Sequence, residues 1–414
     1  MNNLEANYTI LHLHTDRSNG TTNVDSVTKY TEYIEKAKEL NMKSLAFTEH
    51  GNVYGWLSKK RACEKAGIKY IHGCEVYITE HLDSKNRVRD NYHTVLLAKN
   101  YEGFKEINSL ISLANNREDG HFYYTPRIAM EDFVRISDNV IVLSACLGSV
   151  FGRGTNSARK RYLDYFMEHK DRCFLEIQHH NVTDQIEYNR KLYEISKKTG
   201  LKLVTATDTH SLDEKKERGR AILQKAKNIH FGEESGWDLT MKSYDELVES
   251  YKVQKSLPME VVMEAIEMTN TIADMIEPFD IDTSHKYPNM ADNPKEEVLK
   301  HIAEGIKEKQ IDKYINAKDY GKRILEEMNV YEYNGAFNFL LLMKDVVDFC
   351  KKNGIKMGYG RGSVTGSLIA YLLGITKLDS VKDNLIFSRF MHNERISLAD
   401  IDSDIEPSRR AEVR

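Results

Sequence analysis

Residues 8–16 read YTILHLHTD, an apolar run from Tyr8 to Leu13 that carries His12 and is followed by His14. On an extended chain, side chains two residues apart leave the backbone on the same side, so both imidazoles can reach one ion. Residues 203–210, LVTATDTH, repeat the arrangement, with a predicted strand Leu203–Ala206 followed by Asp208 and His210. Between them lie five more short runs that read as strands: Ser44–Phe47, Tyr70–Tyr77, His93–Ala98, Val140–Ser144 and Cys173–Ile177. Helical patterns separate several of these, at Val27–Leu40, Val53–Ala66, Phe104–Ala114 and Asp184–Lys198. Strand–helix alternation predicts a parallel sheet, and its repetition within one stretch of chain favours a closed barrel. In α/β barrels the rim at the strand ends carries the chemistry.

The functional letters fall at that rim. FTEH places Glu49 and His50 after a second strand, GCEVY places Glu75 on a third, His93 opens another, and LSACLGS places Cys146 after one more. Each has a plain alternative: one H-x-H among 15 histidines is weak, a lone Glu75 can be an ion-pair partner, and a lone Cys146 is usually a small buried hydrophobe. The joint pattern of imidazole, carboxylate and thiolate at successive strand ends argues for a metal centre, better suited to zinc or manganese than to magnesium or calcium.

The series LHLHTDRSN, FTEHGNVYG, GCEVYI, YHTVLLAKN, LSACLGS and DTH resembles the polymerase-and-histidinol-phosphatase (PHP) domain over roughly residues 8–280. The resemblance implies a distorted (β/α)7 barrel holding up to three metal ions and hydrolysing phosphate esters. It implies the ligands His12, His14, His50, Glu75, His93, Cys146, Asp208 and His210. The family also supplies an aspartate after the first histidine pair, for which Asp25 in SNGTTNVDS is the first choice and Asp16 the second. Glu49 and His180, in EIQHHN, are expected to line the site.

From about Ser243 the pattern turns helical, with Tyr244–Tyr251 and Met259–Ile276. A turn-rich stretch at residues 279–294 reads as a boundary, so the first domain is set at residues 1–280 and the second at 281–414. Helices are expected at Lys295–Lys309, Tyr320–Asn329 and Phe339–Lys351. GYGRGSVTGS, residues 358–367, then runs into the apolar helix Leu368–Leu373. Glycine-rich backbone N–H groups at a helix start, with Arg361 alongside, form a candidate phosphate site, or equally a tight turn that lets the helix Leu368–Leu373 pack closely. In ADIDSD, residues 399–404, an extended strand would put Asp400, Asp402 and Asp404 on one side, which is costly unless cations bind there. The alternative is a solvated acidic turn.

These two pieces, with LIFSRFMHNERISLADIDSD, resemble the palm of the bacterial replicative DNA polymerase III alpha family, which joins such a palm to a PHP domain. The resemblance implies an α/β PHP barrel followed by a partial, mainly helical nucleotidyltransferase-like palm. It implies that Asp400 and Asp402 are catalytic and hold two magnesium ions, and that Arg361, Gly362, Ser363 and Arg389 bind the triphosphate. DNA primer-template and a deoxynucleoside triphosphate would be the partners. Ala399 stands where the family has proline, and Ser403 where it has an apolar residue. The family's third carboxylate and its fingers lie beyond position 414, so a further polymerase portion on another chain is expected, and polymerisation by this chain alone is not. The competing enzyme reading is a stand-alone PHP phosphoesterase, and a third is a non-catalytic scaffold.

Bulk properties agree with a soluble, multidomain reading: 414 residues, 41% hydrophobic, 29% charged, net charge −4. The absence of a 20-residue apolar run or a secretory leader predicts a protein outside membranes. Five scattered cysteines fit a reducing, cytoplasmic compartment. Residues 351–414 carry 11 Lys/Arg against 8 Asp/Glu, an excess too small to identify a nucleic-acid partner.

Overall fold

A computed structural model describes residues 7–20, 24–82, 88, 90–229, 236–283, 286–394 and 399–413. Residues 21–23, 284–285 and 395–398, parts of stretches singled out above, lie outside the described residues. The chain divides into two compact units, Met1–Ile281 and Asp282–Arg414.

The first unit is built on one curled sheet. Its principal strands are β1 (Ser44–Phe47), β2 (Lys69–Thr79), β3 (Tyr92–Ala98), β4 (Val140–Leu143), β5 (Cys173–Gln178) and β6 (Leu203–Ala206). Each lies beside its neighbour in sequence, and the two-residue strand Ile128–Ala129 also pairs with β2. Segments such as SLAF, VIVL and LVTA are buried along their whole length, as strands covered on both faces must be. Their alternate side chains separate into two clusters. Ala46, Ile71, Val95, Ile141, Phe174 and Val204 belong to an inner cluster with Leu11, joined by Ile272, Ala273 and Ile276. Leu45, Cys74, Leu96, Val142, Leu175 and Leu203 belong to a larger one that the helices cover.

The expected first strand is a bridging segment rather than a regular strand. Ile10 pairs with Leu45 and Leu13 with Thr209, both in parallel fashion. The Ala46 amide donates to the Ile10 carbonyl at 2.9 Å, and the His14 amide donates to the Thr209 carbonyl at 2.8 Å. Residues 10–14 thus lie between β1 and the chain after β6, and they close the sheet into a barrel.

The sheet is mixed, not parallel. β3 runs antiparallel to both β2 and β4, with Tyr77 opposite His93 and Leu97 opposite Ile141. Among the described residues no helix separates β2 from β3, and without a crossover the chain returns antiparallel. The reversal has a functional result: the beginning of β3, where His93 sits, lies at the same rim as the ends of the strands around it.

The second unit is mainly helical. Pro294–Glu308, Ala317–Tyr333, Phe337–Lys352 and the short Leu368–Leu372 contribute to one core that includes Val298, Tyr331, Leu340, Leu368 and Phe390. Pro294 starts its helix just after the Asn293 cap, where a missing N–H costs nothing. The expected DxDxD strand does not form: only Asp402 and Ile405 make isolated bridges, to Arg361 and Met357. Their partner is a glycine-rich turn, which offers no regular edge for a ladder.

Within β2, buried His72 receives or donates a hydrogen bond at 2.9 Å with Tyr70 and stands edge-on to Trp56 and Phe104. Burial pushes its pKa down to about 3. The fold holds this ring neutral while the unfolded chain takes a proton near pH 6.5, so its contribution is present above that pH and lost as pH falls toward 3. The loss should reach on the order of 2 kcal/mol by pH 5. Urea midpoints measured from pH 7 to pH 5 should fall less steeply for His72→Phe than for the parent chain; parallel slopes would contradict this role.

Candidate metal centre and glycine loop

Eight of the nine ligands expected from sequence converge at one rim of the barrel. They form three groups whose ligand atoms lie within 4.8 Å of one another: His14, His50 and His210; His12, His14 and Asp208; Glu75, His93 and Cys146. Glu75, buried on β2, is the common element. One of its oxygens, Oε2, lies 3.4 Å from His12 Nε2, 3.2 Å from His14 Nε2 and 2.8 Å from His50 Nδ1. The other, Oε1, contacts His93 Nδ1, and Cys146 Sγ lies 3.4 Å from that same nitrogen. Asp208 Oδ1 stands 3.3 Å from both His12 Nε2 and His14 Nε2. His14 stacks on His50 and on His210 with ring centroids 3.9 and 4.4 Å apart.

The local backbone is shaped for this. Asp208 has φ +47° and Ala145, beside Cys146, has φ +60°. Non-glycine residues in the left-handed region cost about 1–2 kcal/mol, and such strain concentrates where side chains must be aimed. Gly148 is equally constrained, because a Cβ there would meet the His93 ring at 3.1 Å.

Electrostatics and hydrogen bonding favour a cation among these groups. Buried His14 Nε2, His50 Nδ1, Glu75 Oε1 and Asp208 Oδ1 have no hydrogen-bond partner, although opposite charges stand within ion-pair range. Donor atoms that crowd together without hydrogen-bond alignment fit a shared ion better than one another. Burial works against charge on Glu75 and Asp208, yet the surrounding imidazoles hold both carboxyls well below the usual range. Burial also opposes charge on His12 and His50, but Asp208 and Glu176 hold His12 well above its ordinary pKa, and Glu75 raises His50 to about 9. Burial and then His14 drive His210 well below its usual value. Burial and the nearby Asp208 and Glu75 push the Cys146 thiol up. A metal ion would replace the protons in this balance.

The other expected residues stand outside the three groups, with Glu49 and His180 behind or beside them. Asp25 is buried and affects His50 electrostatically, but it joins none of the three groups, and its carbonyl accepts from Arg220 Nε at 2.6 Å. Asp16 is half-buried and also outside them. Glu49 anchors a loop: it accepts from Thr15 N at 2.9 Å, Ser18 Oγ at 2.5 Å and the buried Lys59 ammonium. His180 stacks on Trp237 at 4.8 Å, and burial lowers its pKa to about 4.

Sequence reading missed Glu176. It lies at the middle of buried β5, accepts from Gln178 Nε2 at 2.8 Å and meets His12 Nδ1 at 2.9 Å. An acidic residue inside the apolar run CFLEIQ was the available signal. A carboxylate on the second ring nitrogen fixes the tautomer of a ligating histidine and raises its basicity.

The second unit is less assembled. Arg361, Gly362, Ser363, Arg389, Asp400 and Asp402 are all exposed. Asp402 sits beside Gly362, where a Cβ would come within 3.2 Å of its carboxylate. Arg361 Nη1 donates to Asp404 Oδ1 at 3.1 Å. Among the described residues, Arg389 and Asp400 make no hydrogen bond or ion pair with this loop, and no metal-suited grouping includes a residue of the unit.

The expected anion site at the helix start is already filled. Buried Glu327 accepts from the amides of Leu368 at 2.8 Å and Ile369 at 3.0 Å, from Ser367 Oγ at 2.8 Å and from Arg323 Nε at 2.8 Å. An internal carboxylate therefore satisfies the helix N-terminus that the sequence seemed to offer to phosphate.

The PHP domain family matches residues 11–180, and the family described as "Bacterial DNA polymerase III alpha NTPase domain" matches residues 296–414. Asp208 and His210 thus lie beyond the matched PHP residues although the fold returns them to the rim. The chain is similar to DNA polymerase III subunit alpha of Aquifex aeolicus, 31% identical over 432 residues, covering 97% of this chain and 36% of the relative. The corresponding subunit of Borreliella burgdorferi is 32% identical over 418 residues, covering 95% and 35%. That of Helicobacter pylori is 32% identical over 453 residues, covering 98% and 36%. The chain therefore spans little more than a third of the length of these relatives. No helix among the described residues is long and apolar enough to cross a membrane.

Removing the Glu327 carboxylate would strand two buried amides and take one acceptor from Arg323, whose Nη2 keeps the Gly366 and Leu385 carbonyls. Glu327→Ala should destabilise the second unit by about 3–5 kcal/mol, read as a lower denaturant midpoint for that unit, with metal uptake by the first unit unchanged.

Proposed function

The chain belongs to the bacterial DNA polymerase III alpha family, and on that premise we propose that it serves template-directed DNA synthesis with an attached metal-dependent phosphoesterase. Residues 1–280 are the PHP domain and residues 281–414 the first part of the palm. The observation that carries the reading is the convergence of His12, His14, His50, Glu75, His93, Cys146, Asp208 and His210, supported by buried donor atoms without hydrogen-bond partners. Zinc or manganese, up to three ions, suits this mixture of imidazole, carboxylate and thiolate. When bound, such ions activate water and neutralise phosphate charge in ester hydrolysis.

The chain's own residues have separable tasks. Glu75 and Asp208 supply negative charge at the centre, and the imidazoles supply neutral donors. Glu176 orients His12 through Nδ1, leaving Nε2 facing the centre. Glu49 and Lys59 fix the loop at residues 15–18 behind it. The substrate we assign to this site is a 3′-terminal phosphodiester of DNA.

In the second unit, Asp400 and Asp402 would hold two magnesium ions, and Arg361, Gly362, Ser363 and Arg389 would receive a deoxynucleoside triphosphate opposite a primer-template. Arg361 must then exchange Asp404 for phosphate, a favourable trade for a guanidinium. Five buried, free cysteines support a reducing, cytoplasmic setting.

The second reading, a stand-alone phosphoesterase acting on a small phosphate ester, is favoured by one contrast: the first site is assembled and the second is open. Metal analysis and activity assays separate the readings. Purified with zinc or manganese, the chain should retain about one ion or more, and Glu176→Gln should weaken binding about 10- to 100-fold. Metal-dependent release of nucleotides from DNA 3′ ends, abolished by Glu75→Ala, is the expected activity. Less than about one ion per chain would refute the metal assignment, and hydrolysis restricted to small esters would favour the second reading.

A further inference from the structure

The second unit contains a cavity of about 650 Å³ that neither metal site uses. Its wall carries four lysines, Lys309, Lys351, Lys356 and Lys377, contributed by the ends of two helices and by the segments on either side of the glycine loop. Among the described residues none of these ammonium groups makes a salt bridge with a carboxylate. Of the two acidic residues in the wall, Asp348 is already paired with Lys344 at 2.7 Å. Glu308, the other, acts on neighbouring Lys309 without an ion-pair contact. Four lysines against these two carboxylates leave the concavity with excess positive charge, which raises the local concentration of anions.

The rest of the wall is apolar and aromatic. Ile355, Leu372 and Leu373 are buried, and Tyr371 presents a ring with Lys309 lying 5.0 Å above its centroid. Thr376 is buried in the same wall, and its hydroxyl has no hydrogen-bond partner. Cationic groups beside an aromatic ring and an unsatisfied hydroxyl, in a volume within the usual range for small-molecule sites, specify a ligand that is both ring-bearing and phosphorylated.

We propose that this lysine-lined cavity binds a free nucleotide, with its phosphates on Lys309, Lys351 and Lys377 and its base against Tyr371. The site is built into the support of the glycine loop. The Lys377 amide donates to the Tyr359 carbonyl at 2.7 Å, and Lys377 Nζ donates to the Met357 carbonyl at 3.2 Å. A Cβ at Gly360 would meet the Thr376 side chain at 3.2–3.3 Å and Thr365 Cγ2 at 3.1 Å. A nucleotide that draws Lys377 toward its phosphates competes with the Met357 carbonyl and so bears on the glycine-rich turn leading into Arg361.

The test uses the full 414-residue chain carrying Arg361→Ala, so that binding at the loop itself is suppressed, with ATP as the probe in isothermal titration. The expected result is a saturable ATP site that survives Arg361→Ala and weakens about tenfold or more on adding Lys351→Glu. Lys351 is exposed on its helix, and an unchanged thermal melt would verify that the variant folds. Tyr371→Phe should preserve binding and Tyr371→Ala reduce it, because stacking needs the ring and not the hydroxyl. Absence of ATP binding in the Arg361→Ala chain at millimolar probe would overturn the proposal, as would affinity indifferent to Lys351→Glu. Equal competition by a single-stranded oligonucleotide would overturn the assignment to a free nucleotide and give the cavity to a DNA strand.

Discussion

A buried carboxylate cannot remain charged in a protein interior without partners, and Glu75 has an unusual number of them. Four imidazoles reach it from the segment before β1, the turn after β1 and the start of β3. Each is a piece of chain that would otherwise be free to shift along its neighbour. The charge therefore fixes register as well as chemistry: β2 must lie where the turn after β1 and the start of β3 can each deliver a histidine to the same carboxylate. Removing any of these partners leaves the others crowded around an imbalanced charge, which is why the centre behaves as a unit rather than a sum of contacts.

The two units arrange their charged and polar groups in opposite ways. The barrel gathers its polar atoms before any ligand arrives, holding them with strained backbone at Ala145 and Asp208 and with a supporting layer of Glu49, Lys59 and Glu176. The helical unit leaves its loop exposed and satisfies its own helix start with Glu327. Arg361 meanwhile rests on Asp404. Preorganisation of the first kind suits catalysis by fixed charges, whereas the second arrangement requires exchange of partners on binding.

Much of this was legible in the sequence, and the exceptions have physical causes. Ligand-spaced pairs at the ends of apolar runs identified His12, His14, Asp208 and His210 because a strand's period of two leaves little freedom. The antiparallel course of β3 was hidden because periodicity reports burial and not direction. Glu176 escaped notice because its role depends on a hydrogen bond to a residue far away in sequence. Asp25 was chosen by motif position, yet its place is set by the surrounding loop, with Asn19 holding its amide at 2.7 Å and Arg220 its carbonyl. The glycine loop was read as a helix-based anion site, but no local pattern reveals that Glu327, about 40 residues earlier, occupies the helix start. The acidic triplet looked like a strand face, while its actual partner is a turn without a regular edge.

Closure of the barrel by residues 10–14 also has a meaning for how the molecule forms. The bond from His14 to Thr209 joins positions that are far apart along the chain. Contacts of such separation carry a large loop-closure cost and form late. During synthesis the segment with the first two histidines can lie beside β1 early, but its other side stays open until the chain near Thr209 exists. The metal centre is thus a feature of the finished barrel and not of any fragment growing toward it.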